Sequence, residues 1–198
     1  MKKSNRIALV SAIALVLGTV GAANAVGTVT QIEASGPGLG SFSAGDLTGS
    51  SLVWSKTFDH FGAVTLLFTV EHGIGPGGSP YTIAETIHNN TGIDFTDFHF
   101  SIVEPSANNG VVFTGSTSAL AGFNLDPSSG PRNLNFTGGT LFNGSGAVAA
   151  FTLNMPDPGN GNTYQFELVQ TPSVPEPGAW ALMIAGLLGV AGIARRKL

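Results

Sequence analysis

The chain has 198 residues, 42% hydrophobic and 10% charged, with 28 glycines, 11 prolines and no cysteine. Disulfides, thiolate metal sites and cysteine nucleophiles are therefore excluded, and so much glycine and proline disfavours long helices. Six of the eight basic residues lie in the terminal segments, so residues 26–173 set eleven acids against Lys56 and Arg132, a balance that excludes a basic nucleic-acid surface.

The N-terminus reads as a secretory signal peptide over residues 1–25. Lys2, Lys3 and Arg6 form a positive start, residues 7–20 are apolar, and Ala23 and Ala25 frame a small-x-small cleavage site. The expected partners are the Sec translocon and signal peptidase, with cleavage after Ala25.

Residues 26–173 amount to about one domain. Hydrophobic alternation at period two, the mark of half-buried strands, recurs along them. Residues 28–34 are a first candidate. Leu52, Trp54 and Phe58 share a face, as do Val64, Leu66, Phe68 and Val70. Tyr81, Ile83 and Ile87 form the next set, then Phe98, Phe100 and Ile102. Residues 111–114, 134–137, 148–155 and 164–169 complete it, with Tyr164, Phe166 and Leu168 on one side of the last. Turn clusters at 73–80, 89–92, 104–110, 126–131 and 156–162 separate these runs. The pattern predicts an all-β, antiparallel β-sandwich of about eight or nine strands. The best-defined piece, residues 81–102, reads as a hairpin or tight corner around Asn89-Asn90-Thr91-Gly92.

The C-terminus has three parts. Val174, Pro175, Glu176 and Pro177 form an extended strip, because proline breaks helices and restricts the residue before it. Residues 178–194 carry no charge, and as a helix they would extend about 25 Å. A hydrocarbon core is about 30 Å thick, so this is a minimal transmembrane helix. Arg195, Arg196 and Lys197 follow at once and would hold that end in the cytoplasm.

The order of Val174-Pro175-Glu176-Pro177, a short glycine-containing span and Arg195-Arg196-Lys197 resembles the PEP-CTERM sorting signal, also described as the C-terminal domain of ice-binding proteins. The resemblance covers about the last 25 residues. It implies a Gram-negative bacterium that makes extracellular polysaccharide, and exosortase, a transpeptidase-like enzyme of the inner membrane, as partner. It further implies cleavage near the Pro-Glu-Pro triplet, transient anchoring in the inner membrane, and delivery to the cell surface or matrix. It implies no activity for residues 26–173.

Within the body, chemistry-bearing patterns are sparse. His60, His72, His88 and His99 each have an acid within three residues, and His88 and His99 fall on adjacent candidate strands with Asp94 and Asp97 near the connection. A metal site needs such groups to converge in space. Asp94, Asp97, Asp126 and Asp157 are loop candidates for calcium, although neither an EF-hand nor a glycine-rich calcium repeat is present. No serine sits in a nucleophile elbow, and no carboxylate pair stands out. Trp54 and Tyr81 read as core residues, and no periodic threonine array suggests an ice-binding solenoid.

The expected organisation is therefore a signal peptide at 1–25, a β-sandwich body at 26–173 and a sorting and anchor segment at 174–198. The expected function is that of a secreted, non-enzymatic surface or biofilm-matrix protein with a structural or adhesive role, with no catalytic residues, no metal site and no required cofactor. Exopolysaccharide is a candidate partner. A carbohydrate- or surface-binding module is the first alternative, and a secreted hydrolase the second.

Overall fold

A computed structural model describes residues 25–74, 79–104 and 109–174. These residues form eleven strands in two sheets, numbered in chain order. The six-stranded sheet runs β1 (Ala25–Ser35), β4 (Val64–Ile74), β11 (Thr163–Ser173), β6 (Asp97–Val103), β9 (Asn133–Thr137), β8 (Asn124–Leu125). The five-stranded sheet runs β2 (Leu39–Ala44), β3 (Ser51–Phe58), β5 (Tyr81–Asn89), β10 (Gly146–Asn154), β7 (Val112–Leu120).

The all-β expectation holds, with two corrections. The pairing is mixed, because β3 and β5 run parallel. The chain leaves β3, crosses to β4 in the other sheet, and returns to β5 in the original direction. Two strands were also missed. Within β2, Leu39-Gly40-Ser41-Phe42-Ser43-Ala44 reads as loop because Gly and Ser weaken the strand signal. The other, β8, is two residues long. The expected signal and transmembrane helices fall on residues 1–24 and 175–198, outside the described residues.

Alternation packs the sheets face against face. Trp54 of β3 meets Phe68 of β4 at 5.7 Å between ring centroids, and Phe58 of β3 meets Phe98 of β6 at 5.7 Å. Farther along, Phe100 of β6 meets Phe151 of β10 at 5.3 Å. Tilted and edge-to-face pairs of this kind add about 0.5–1.5 kcal/mol each beyond the area they bury. Within one sheet, Phe68 and Phe166 stack at 4.7 Å, as their register directly opposite each other requires. Trp54 and Tyr81 are both buried, as core residues.

Most connections cross between the sheets, and their corners gather at two poles. The first pole holds the ends of β1, β3, β5 and β11 and the starts of β4, β6 and β10. There the buried Asn89 donates from Nδ2 to the carbonyls of Ile93 at 2.8 Å and Leu141 at 3.0 Å, while Oδ1 accepts from the Thr91 amide at 3.1 Å. Asn89 thus fastens the 90–96 turn to the 138–145 turn, and the 81–102 block is a corner between sheets rather than a hairpin. Gly36 turns β1 towards β2 with φ +119°, and a Cβ there would lie 2.5 Å from the Ala63 carbonyl oxygen. Only glycine fits both conditions.

At the opposite pole, the Tyr81 hydroxyl donates to the Gly27 carbonyl at 3.1 Å and accepts from the Val29 amide at 3.3 Å. The Tyr164 hydroxyl donates to the Pro156 carbonyl at 2.9 Å. Burial raises the pKa of both phenols, and for Tyr164 the Glu104 carboxylate adds to the effect. An unfolded tyrosine ionises at about pH 10, so the folded chain holds these protons after the unfolded chain releases them. The resulting stabilisation is complete below about pH 10 and is lost as pH rises through the folded values. The chain has two tyrosines, so ultraviolet titration should show phenolate appearing at higher pH in the folded protein than in urea. Coincident titration curves would contradict these placements.

Candidate functional site

Two features of the fold bear on function: the exit of the chain from β11 and a polar centre inside the core. β11 is an interior strand, pairing with β4 up to Gln170 opposite Val64 and with β6 as far as Ser173 opposite Asp97. β4 begins at Val64, so its ladder has ended where Pro172 lacks an N–H. Proline is tolerated in a strand where no ladder bond is required of it. The Thr96 amide donates to the Ser173 carbonyl at 2.9 Å and fixes the last strand residue. Val174 is the last described residue of the body's exit. Pro175, Glu176, Pro177, Arg195, Arg196 and Lys197 lie outside the described residues, as does Ala23. Ala25 opens β1 opposite Ile74, so the two ends of the body leave from opposite poles. The pole from which Ser173 departs also exposes Phe61, Ile93 and Phe142, the last of them 61% exposed.

The structure disperses the candidate ion ligands. His88 is exposed on β5 and His99 lies on β6, so the two belong to different sheets and not to adjacent strands. The His99 ring pairs through Nδ1 with Asn135 Oδ1 at 3.0 Å, and His72 Nδ1 lies 2.9 Å from Asp157. His60 is exposed in the turn after β3. Asp94 accepts from the Asn143 amide at 2.8 Å, while Asp97 opens β6. The Ser128 hydroxyl and amide hold Asp126 below the usual carboxylate range. Asp94 and Asp126 thus brace separate turns, and among the described residues no three His, Asp or Glu side chains converge on a common point.

Surface grooves among the described residues include two of moderate size. One, of about 300 Å³, is lined by Phe113, Ser118, Leu125, Ser129, Pro131 and Leu134 among others. The other, of about 240 Å³, is lined by Glu71, His72, Asn160, Asn162 and Thr163. Neither pairs two solvent-facing aromatic rings, the usual platform for a sugar.

The polar centre was not anticipated. Lys56 of β3, Glu85 of β5 and Gln170 of β11 are 1%, 0% and 0% exposed. Lys56 Nζ donates to Glu85 Oε1 and to Gln170 Oε1. Gln170 Nε2 donates to the same Glu85 Oε1 at 3.1 Å. The other carboxylate oxygen, Glu85 Oε2, is buried without a hydrogen-bond partner. The Phe58 and Phe98 rings stand 5.3 and 5.9 Å from Nζ. Burial lowers the Lys56 pKa, against the opposing pull of Glu85. The signal for this centre lies in the alternation itself. Position 56 continues the Leu52–Trp54–Phe58 face, position 85 falls between Ile83 and Ile87, and position 170 follows Phe166 and Leu168. Each polar residue thus occupies a core-facing place in its strand.

Arg132, the other body cation, pairs with the buried Glu104 carboxylate. Glu104 Oε1 also accepts from the Val111 amide at 3.1 Å. Both cations of residues 26–173 are therefore engaged with buried acids.

Comparison with protein families finds a match to the PEP-CTERM protein-sorting motif at residues 173–197. Comparison with curated proteins gives no match, and comparison with solved structures gives none either. The matched segment begins on the last residue of β11. The motif implies export, processing at the membrane, and exosortase as the processing partner.

The buried centre generates a direct expectation. Removing one partner of a buried ion pair leaves an uncompensated charge and costs about 3–5 kcal/mol. Glu85→Ala should lose about that much in urea unfolding, whereas Glu167→Ala, on β11 of the other sheet and outside this centre, should lose under about 1 kcal/mol. Equal, small losses for both variants would contradict the placement of Glu85.

Proposed function

Because the chain carries a PEP-CTERM protein-sorting motif, we propose that it is a secreted, exosortase-processed protein of the cell surface or extracellular matrix, with a structural or adhesive role. In this reading residues 1–25 are a cleaved signal peptide. Residues 26–173 are a non-enzymatic β-sandwich, and residues 174–198 are a transient inner-membrane anchor. Cleavage after Ala25 would take a single residue from β1, leaving Val26 onward in the ladder with β4.

The observation that carries this reading is the sorting-motif match at residues 173–197, which begins on the last residue of β11. A strand held on one side by β6 ends at Ser173, and in the sequence only Val174 separates it from Pro175. The body can then sit close to the bilayer while the triplet is presented to the processing enzyme. Phe61, Ile93 and Phe142 project at the same pole, where amphipathic interfacial contact suits aromatic and aliphatic side chains. Support for a passive role comes from the dispersal of the titratable groups: His72, Asp94, Asp126 and Asp157 all have local structural partners. Exopolysaccharide is the matrix contact proposed for the body.

The test is to replace Pro175, Glu176 and Pro177 by alanine in the producing cell and follow the chain by fractionation and immunoblotting. The wild-type chain should appear shortened at its C-terminus in the surface or matrix fraction. The variant should accumulate at full tail length in the inner membrane. Equal surface delivery of both would reduce the triplet to a spacer and overturn this reading.

A further inference from the structure

We propose that Lys56 and Gln170 become joined by an isopeptide bond, formed within the folded body with Glu85 as the proton-transfer group, so that β3 of one sheet is covalently tied to β11 of the other.

The three side chains hold the components of an amide exchange. Lys56 is an amine with its Nζ in contact with Gln170 Oε1, one covalent bond from the carboxamide carbon. Gln170 is an acyl donor fixed at both ends of its amide, since Oε1 accepts from Lys56 and Nε2 donates to Glu85. Glu85 Oε1 touches both Nζ, the attacking nitrogen, and Nε2, the nitrogen that would depart. One carboxylate oxygen therefore bridges the group that must lose protons and the group that must gain one. Its second oxygen is buried and unpartnered, free to accept a hydrogen bond or hold a proton.

The step balances without any added reagent. The Lys56 ammonium gives one proton to Glu85 and becomes a nucleophilic amine. Its lone pair attacks Cδ of Gln170, forming the Nζ–Cδ bond and a tetrahedral centre. A second Nζ proton passes through Glu85 to Nε2, the Cδ–Nε2 bond breaks, and Nε2 leaves as ammonia. Lys56 Nζ keeps one hydrogen as the new amide N–H, and Glu85 ends as the neutral acid. One amide has replaced another, so neither oxidant nor activating nucleotide is required.

The surroundings favour this outcome. Burial disfavours the ammonium form of Lys56 and exposes its lone pair, the usual way a lysine is made nucleophilic. Phe58 and Phe98 beside Nζ and the near-zero exposure of all three residues keep water from competing for Cδ. Two isolated charges in an apolar interior are expensive. The product contains none, because the amine has become an amide and the carboxylate holds a proton. Residues 56 and 170 are 114 positions apart, so the bond closes a long loop and would serve a chain without cysteine as a disulfide serves others.

Peptide mapping of the protein purified from the producing cells tests this. Digestion with a protease specific for acidic residues should release one branched peptide joining Lys56 to Gln170, lighter than its two linear parts by one ammonia. Separate linear peptides with Lys56 and Gln170 unaltered, from folded protein, would overturn the proposal. So would conversion of Gln170 to glutamate without a branch, since water would then be the acceptor. A branch between Lys56 and Glu85 with loss of water would overturn the assignment of Gln170 as acyl donor. Glu85→Gln should retain the linear peptides, and a branched peptide in that variant would remove Glu85 from the reaction. If Glu85→Gln fails to fold, the wild-type map alone decides.

Discussion

The structure depends on the closure of one apolar core between two sheets. Every long strand contributes alternate residues to it, and the aromatic contacts from Trp54 to Phe151 run across the gap as well as along it. At the centre of that core sits a polar knot, Lys56 with Glu85 and Gln170, which draws on three strands of both sheets. The knot admits little variation in register. Shifting any of the three strands by one residue would turn its polar member outward and bring an outward residue in. The charges that make the centre costly to bury also make its geometry specific.

Core closure has a consequence for the ends of the chain. The described residues already fill the facing sides of both sheets with side chains such as Leu66, Phe100, Phe151 and Leu168, all at most 2% exposed. Under the proposed function, the apolar runs at 7–20 and 178–194 serve the bilayer and leave this core to the body. Ala25 and Ser173 leave from opposite poles, which is compatible with the proposed release at one end and anchoring at the other. The motif at 173–197 begins where the strand ends, so folding of the body and presentation of the tail meet at one residue.

Much of the fold was legible in the sequence because period-two alternation survives wherever one face is buried. The runs around Val64, Tyr81, Phe98 and Tyr164 all became strands. The pairing order was not legible, since alternation says which face is inward and nothing about which strand lies beside which. That is why β3 and β5 emerge as parallel neighbours and why His88 and His99 part company. β2 escaped notice because its side of the sheet is carried by Phe42 among glycine and serines. The polar centre was visible only as three interruptions in otherwise apolar faces, at positions 56, 85 and 170. A lone charged residue at an inward beat is easily taken for an error in the pattern. Three such beats on three strands describe a site, but their convergence needs the topology.

The central claim is that the body folds as a closed unit outside the membrane while both apolar extremities serve traffic. Intact-mass measurement of the native protein, fractionated from its own cells, tests this most directly. The account predicts a chain that begins at Val26, ends close to Pro177 and is recovered from the surface or matrix. A full-length chain recovered from the cytoplasm, with both extremities attached, would contradict it.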